Sequence, residues 1–126
     1  MSRKGRREAV AERAYGRAMA YDEALAERIR DRLAALPGVT DKRMFGSLAF
    51  LTDGRLTVGV TGDDLMVRVG PDAAADALTR PGARPIEMGK RRMRGWIRVD
   101  GAELDDEALD DWLQQAREFV TTLDVS

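Results

Sequence analysis

The fold is decided by RMFGSLAFLTDGRLTVGVTGDDLMVRV, residues 43–69. This stretch contains three short runs rich in aliphatic and β-branched residues, which favour strands, and polar turn sequences separate the runs. Asp53-Gly54 lies between the first two runs, and this pair suits a two-residue hairpin turn because both residues tolerate positive φ angles. The sequence therefore predicts three strands in an antiparallel meander, over residues 43–51, 55–60 and 65–69.

Helical and strand signals continue on both sides of this stretch. Upstream, apolar residues recur at helical spacing until Pro37-Gly38, which predicts a helix over residues 20–36. Downstream, residues 73–78 are expected to form a short helix, and residues 86–88 and 93–99 two strands around a basic turn. The last predicted helix follows Leu104, and its expected buried stripe consists of Leu109, Trp112, Leu113, Ala116, Phe119, Val120 and Leu123.

The predicted order of elements is α-β-β-β-α-β-β-α. This order favours a two-layer α+β domain with an antiparallel sheet and flanking helices. A chain of 126 residues is long enough for one hydrophobic core. Residues 1–18 are basic and have no sustained apolar face, so we expect a frayed or disordered extension there and a domain over residues 19–126.

The composition excludes much of enzyme chemistry. The chain contains no His and no Cys, which rules out imidazole and thiolate metal sites, cysteine nucleophiles, disulfides and Ser-His-Asp triads. The adjacent acids Asp63-Asp64 lie at a predicted turn and the other dense acids at a helix start, where solvated and capping roles are usual. No P-loop or dinucleotide-binding glycine pattern occurs. We therefore expect no enzymatic activity, no metal and no cofactor.

Membrane and export signals are also missing from the sequence. A membrane span needs roughly 18 consecutive apolar residues, whereas the densest apolar run, residues 48–51, ends at once in a turn. Residues 1–18 lack the apolar segment of a secretory signal. We expect a cytoplasmic protein with no membrane partner.

The net charge of −1 conceals a dipolar layout along the chain. Residues 1–18 carry +4, residues 19–79 carry −3, residues 80–98 carry +6 and residues 99–126 carry −8. The basic block lies on a predicted hairpin beside Trp96, so its cations could contact phosphates while the aromatic ring stacks on a base. The alternative is that these cations pair with the acidic last helix and that Trp96 belongs to the core.

Met44-Phe45-Gly46 is the other unusual local feature. Two large apolar side chains precede a glycine at a predicted strand entry, and Gly46 suits a bulge or a close approach of two backbones. Exposed, this tripeptide would form an apolar patch that docks a partner. Buried, Phe45 would simply pack in the core.

Several ordered motifs resemble the N-terminal domain of the TfoX/Sxy competence regulators. The resemblance extends from about residue 19 to residue 123, and the motifs that carry it are Tyr21-Asp-Glu-Ala-Leu25, Lys42-Arg-Met-Phe-Gly46, Asp63-Asp-Leu-Met-Val-Arg-Val-Gly-Pro71, Arg80-Pro-Gly-Ala-Arg-Pro85 and Met93-Arg-Gly-Trp96. Ser47 replaces the second glycine usual after Phe-Gly in the family. Lys90 and Arg92 stand where relatives often have Gly and Pro, which makes this turn more basic.

The resemblance implies a compact, secretion-chaperone-like α+β fold in a bacterial cytoplasmic protein linked to competence genes. Full-length relatives are thought to assist the cyclic-AMP receptor protein at promoters, and two-domain members carry a further C-terminal domain that is not expected in this sequence. The family supplies no catalytic residues to carry over.

We therefore expect a non-catalytic binding module that acts in transcription regulation through a protein partner. Direct nucleic-acid binding by the basic hairpin and the N-terminal arm is the alternative, and the sequence does not indicate an oligomeric state. The candidate partner contacts are Lys42, Arg43, Met44, Phe45, Arg91, Arg92, Arg94 and Trp96.

Overall fold

The computed structural model describes residues 21–44, 46–88 and 91–123. The helices are α1 (Glu23–Leu33), α2 (Ala74–Ala77) and α3 (Asp106–Thr122), and a short 3-10 turn, Gly101–Glu103, precedes α3. The strands are β1 (Val39–Met44), β2 (Ser47–Thr52), β3 (Arg55–Thr61), β4 (Asp64–Arg68), β5 (Ala83–Met88) and β6 (Arg91–Val99). The extension predicted over residues 1–18 lies outside the described residues.

The strands form one sheet in the order β1-β2-β3-β4-β6-β5, and all neighbours are antiparallel. The predicted α+β class, the antiparallel sheet and the alternation of helices with groups of strands are confirmed. The predicted hairpin at Asp53-Gly54 joins β2 to β3, and both residues have positive φ angles, 51° and 82°. The turn chemistry visible in the sequence therefore fixes the centre of the sheet.

The first group of strands contains one more turn than we predicted. The run expected as a single strand over residues 43–51 is divided between β1 and β2, which pair from Val39↔Thr52 to Met44↔Ser47. Gly46 has a φ of +80°, a left-handed conformation that glycine adopts without steric cost and that reverses the chain there. The prediction of a single strand over residues 43–51 was therefore wrong in detail, and the first group contains four strands, β1 to β4.

Helix α1 is shorter than the predicted span of residues 20–36. The Asp22 carboxylate accepts hydrogen bonds from the backbone N–H groups of Ala24 and Leu25, which caps the helix at its start. The chain leaves the helix after Leu33 and passes through a turn before Gly38. Among the described helices, none combines the length and the apolar character that a membrane span requires.

The hydrophobic core lies between the helices and one face of the sheet. Side chains at alternate strand positions, including Leu48, Val60, Leu65 and Val99, are at most 2% exposed. They belong to one cluster with Ile29 of α1 and with the buried stripe of α3. Of that predicted stripe, Leu109, Trp112, Leu113, Ala116 and Val120 are buried, whereas Phe119 and Leu123 are half-exposed.

The opposite face of the sheet carries polar and small side chains. One row of paired residues crosses all six strands on this face, and it consists of Lys42, Ala49, Gly59, Met66, Arg98 and Arg84. A Cβ atom on Gly59 would lie 3.3 Å from the Met66 Cε atom, so the methionine lies over the glycine. The face without helices is thus closely packed at its centre and charged toward both edges.

Candidate partner-binding groove

The residues predicted to contact a partner fall into two separate places. Lys42, Arg43 and Met44 lie on the edge strand β1, whereas Arg94 and Trp96 lie on β6, four strand spacings away. At about 4.8 Å per spacing this is roughly 19 Å across the sheet. The two groups also lie toward different ends of the sheet, because Arg43 is level with Val99 through the strand pairing and Trp96 is three positions away from it.

Phe45 lies outside the described residues, so whether it belongs to an exposed apolar patch or to the core stays a prediction. The structure gives Arg91 and Arg92 only a backbone position, at the start of β6, where they pair with Met88 and Glu87. Of the eight candidates, five have described side chains, and among these Arg94 and Trp96 are the pair that lines a groove.

A large bulge in β6 positions this pair. Pro85 of β5 pairs with Ile97, and Glu87 pairs with Arg92. One residue of β5, Ile86, therefore faces the four residues 93–96 of β6. Pro85 has no N–H group to offer the ladder, and proline in a sheet is confined to edges and bulges. Residues 93–96 therefore lack one-to-one partners on β5, and Arg94 and Trp96 are two of them, although Trp96 still pairs with Arg68 of β4.

Gly95 allows the bulge to approach the corner between β4 and α2. Its carbonyl oxygen accepts hydrogen bonds from the backbone N–H groups of Val69 and Gly70, at 2.8 and 2.9 Å. Its φ is +83°, and a Cβ atom there would lie 2.9 Å from the Pro71 nitrogen. Only glycine can adopt this φ angle without a Cβ atom that would clash with Pro71. Gly95 therefore lets β6 pack directly against the segment between β4 and α2.

The bulge and α2 enclose an apolar groove of about 260 Å³, which we call the α2–β6 groove. Pro71, Ala75 and Pro85 line it with exposed side chains, and Leu78, Met93 and Trp96 line it with half-buried ones. The remaining lining residues are Ala74, Arg94, Gly95 and Ile97. Apolar side chains are therefore adjacent here, beside an exposed cation, and not scattered singly over the surface.

Arg94 supplies the charge at this groove. It is exposed, and no ion pair or hydrogen bond joins its side chain to another described residue. Trp96 beside it offers a large apolar ring and one indole N–H donor. Tryptophan and arginine are the residue types most enriched among the strongest contacts of protein interfaces.

Three other cations of the basic block, Arg80, Arg84 and Arg98, are engaged within the fold. The Arg98 Nε atom donates to Asp64 Oδ2 at 2.7 Å, and the Arg84 guanidinium donates to Asp64 at 3.1 Å and to Asp100 at 2.6 Å. The Arg80 guanidinium lies 3.6 Å from the centroid of a Trp112 ring and donates to Gln115. The positive block of the sequence is therefore partly neutralised where it folds.

Asp64 is the centre of this charge network. Its Oδ1 atom accepts from the backbone N–H of Gly101 at 3.1 Å, while Oδ2 accepts from the two arginines. Partial burial on its own would raise the pKa of this carboxyl. The hydrogen bonds from Arg98 and Gly101, with the charges of both guanidinium groups, outweigh burial and lower the pKa below its usual value.

Among the described residues, the ion pairs of the acidic last helix are made with α1 and not with the basic hairpin. Asp106 accepts from Arg28 at 3.1 Å and from Arg32 at 2.8 Å, and Asp110 also pairs with Arg32. Hydrogen bonds from Arg28 and Arg32, reinforced by their charges, lower the pKa of Asp106. The alternative in which the hairpin cations pair with this helix is wrong for Arg84 and Arg98, whose partners are Asp64 and Asp100.

The described residues contain no group of three or more acids placed to hold a metal ion. The largely buried carboxylate of Asp64 already has both oxygens bonded to protein donors. The arrangement offers contact chemically: apolar area, one indole donor and the Arg94 guanidinium, which pairs with no other described residue.

Two of these features, Arg94 and Trp96, are visible in the sequence, because they stand in a basic block that contains an aromatic residue. The groove walls formed by Pro71, Leu78 and Met93 come from three elements and become neighbours only in the folded chain. The signal that could have found them is Gly95 beside Trp96, together with Pro85 directly before the strand predicted over residues 86–88.

These observations define a class: an α+β domain with helices on one face of an antiparallel sheet and an apolar groove beside the last hairpin. A family model narrows the class, since the TfoX N-terminal domain model matches residues 31–120. The chain belongs to the TfoX N-terminal domain family. Neither curated proteins nor solved structures give a significant match to this sequence. The resemblance found in the motifs is confirmed by the family match.

Proposed function

We propose that this chain is a non-catalytic binding module that acts in transcription regulation by holding a protein partner in the α2–β6 groove. The observation that carries the proposal is the groove itself, which places an apolar channel beside the exposed Arg94 and the half-buried Trp96. Membership of the competence-regulator family supports the regulatory setting.

The size of the groove favours a protein partner over a small molecule. Pockets for small ligands and cofactors usually measure about 300–1,000 Å³ and enclose most of the ligand. At about 260 Å³ and open to solvent, the α2–β6 groove suits one or two anchoring side chains of a partner. Arg94 at its border favours a segment that carries a carboxylate next to an apolar anchor.

Direct nucleic-acid binding is the second candidate, and Arg94 together with the basic turn before it favours this function. Arg84 and Arg98 are bound to carboxylates, so the candidate phosphate contacts are Arg94 and, on the sequence alone, Lys90, Arg91 and Arg92. Four phosphate contacts would give a log–log salt slope of about −3.6 on duplex DNA. A salt titration therefore separates the two candidates, because a protein partner does not require that slope.

The test is affinity capture from cell extract, with and without nuclease. Ala75 is exposed in the groove, so Ala75→Trp should fill the groove without disturbing the core. The matched control is Ala102→Trp, at an exposed position outside the groove. A protein retained by the native chain and by the control, after nuclease, should be lost from Ala75→Trp.

A second pair of variants tests the charge at the groove. Arg94→Glu and Lys42→Glu change the net charge equally, but the first lies at the groove and the second on β1. Only Arg94→Glu should weaken capture. Equal weakening by both would show that capture depends on overall charge and would count against a defined groove.

A further inference from the structure

Among the described residues, strand β1 is a regular sheet edge with a partner strand on one side only. Its six residues pair with β2 without a register shift, and Thr40, Asp41, Lys42 and Arg43 are all exposed. The other edge, β5, is interrupted by Pro85 and by the β6 bulge. A straight edge without proline presents a row of free backbone N–H and C=O groups, which is a template for another strand.

We infer that β1 pairs antiparallel with β1 of a second copy of this chain, which joins two six-stranded sheets edge to edge. A second copy is favoured over another partner by the charges on the strand itself. Asp41 and Arg43 lie on the same side of the sheet, because residues two apart in a strand share a face. They have opposite charge, so an antiparallel copy brings each residue opposite the other.

Symmetry restricts the register of this pairing. Residues directly opposite each other in antiparallel strands point to the same face, so the two-fold axis must pass through a residue and its own copy. An axis at Asp41 would oppose two aspartates. An axis at Lys42 opposes two lysines on the solvated face, but it creates two Asp41–Arg43 pairs on the other face. Opposite charges stabilise a cross-strand pair, so the axis at Lys42 is the favoured register.

Asp41 and Arg43 can each form a further ion pair with the second copy. The Asp41 Oδ2 atom accepts from Arg30 Nε at 3.2 Å, while Oδ1 has no hydrogen bond to a described residue. The Arg43 side chain is exposed and forms no ion pair with a described residue. A single strand pairing buries little area, so the association should be reversible and should weaken with salt. Pairing through β1 leaves the α2–β6 groove free, so either proposal can fail without the other.

Analytical ultracentrifugation of charge variants tests the register. Arg43→Asp places like charges opposite each other, as does Asp41→Arg, so each variant alone should be monomeric at concentrations where the native chain dimerises. An equimolar mixture of the two should recover the dimer, because every 41–43 pair is then complementary. Glu27→Arg is the matched control: it also removes a carboxylate from Arg30 but lies on α1, and it should dimerise normally.

Cross-linking provides a second measurement that does not depend on the charge variants folding. The chain has no cysteine, so Lys42→Cys introduces a single thiol that lies opposite its own copy in this register. Mild oxidation should link these dimers, whereas Thr40→Cys, opposite Met44, should link far less. A native chain that stays monomeric up to roughly 1 mM, a dimer that survives both charge variants, or equal cross-linking at both positions would overturn the inference.

Discussion

Replacing Asp64 with Asn removes the charge that holds three parts of the fold together. The native carboxylate bonds Arg98 at 2.7 Å, Arg84 at 3.1 Å and the backbone N–H of Gly101 at 3.1 Å. Hydrogen bonds to charged groups contribute about 1.5–3 kcal/mol each when buried. The side chains of Arg98 and Arg84 are 33% and 52% exposed, so solvent screening reduces this value, and Arg84 keeps Asp100 as a partner. We expect a loss of about 1–2 kcal/mol in the free energy of unfolding.

The assay is urea unfolding at a series of pH values, followed by circular dichroism. Because the folded pKa of Asp64 is lowered, its contribution is fully present above the unfolded pKa of about 3.9. The contribution disappears as the pH falls through the folded pKa. The difference between the native chain and Asp64→Asn should therefore be largest near neutral pH and should close at strongly acidic pH. In thermal melts at neutral pH it should appear as a shift of roughly 4–8 °C.

The neighbouring carboxylate provides the control. Asp63 is exposed, and its side chain has no hydrogen bond or ion pair with a described residue, so Asp63→Asn should change the free energy of unfolding by less than about 0.5 kcal/mol. Equal losses in the two variants would refute the reasoning, as would a loss in Asp64→Asn that persists unchanged at strongly acidic pH.

Two further predictions concern Gly95 and the basic block. Gly95→Ala should lower the free energy of unfolding by more than Gly54→Ala, as measured by urea unfolding of the two variants. Both glycines have left-handed φ angles, whose strain in alanine costs about 1–3 kcal/mol. Of the two positions, only Gly95 would also bring a Cβ atom within 2.9 Å of backbone. Asp64→Asn should also release Arg98, so the log–log salt slope for duplex DNA should steepen by about 1 if the hairpin binds phosphates. An unchanged slope, measured by fluorescence anisotropy, would count against direct nucleic-acid binding.

The parts of the fold predicted from sequence are those specified by neighbouring residues. Asp53-Gly54 sets its hairpin locally, and the apolar spacing of α3 sets its buried face. Strand β1 escaped prediction because four consecutive exposed positions leave no alternation of apolar and polar residues in its sequence. It becomes a strand because β2, whose side chains are largely buried, offers it a complete ladder.

The candidate site was only half predictable for a similar reason. The charge of a side chain is visible in the sequence, but its partner is not: Asp64 and Arg98 are 34 positions apart and meet only when β4 pairs with β6. The groove likewise depends on how far Gly95 lets β6 approach Pro71. The sequence therefore indicated Arg94 and Trp96 without showing which of the surrounding cations remain available.

The claim that a protein partner binds in the α2–β6 groove is tested most directly by isothermal titration of the captured protein. The titration compares the native chain, Ala75→Trp and Ala102→Trp. Loss of a central contact in an interface typically costs 2 kcal/mol or more, which corresponds to roughly 30-fold in Kd. We predict that loss for Ala75→Trp and an unchanged Kd for Ala102→Trp. The same Kd for all three proteins would contradict the account.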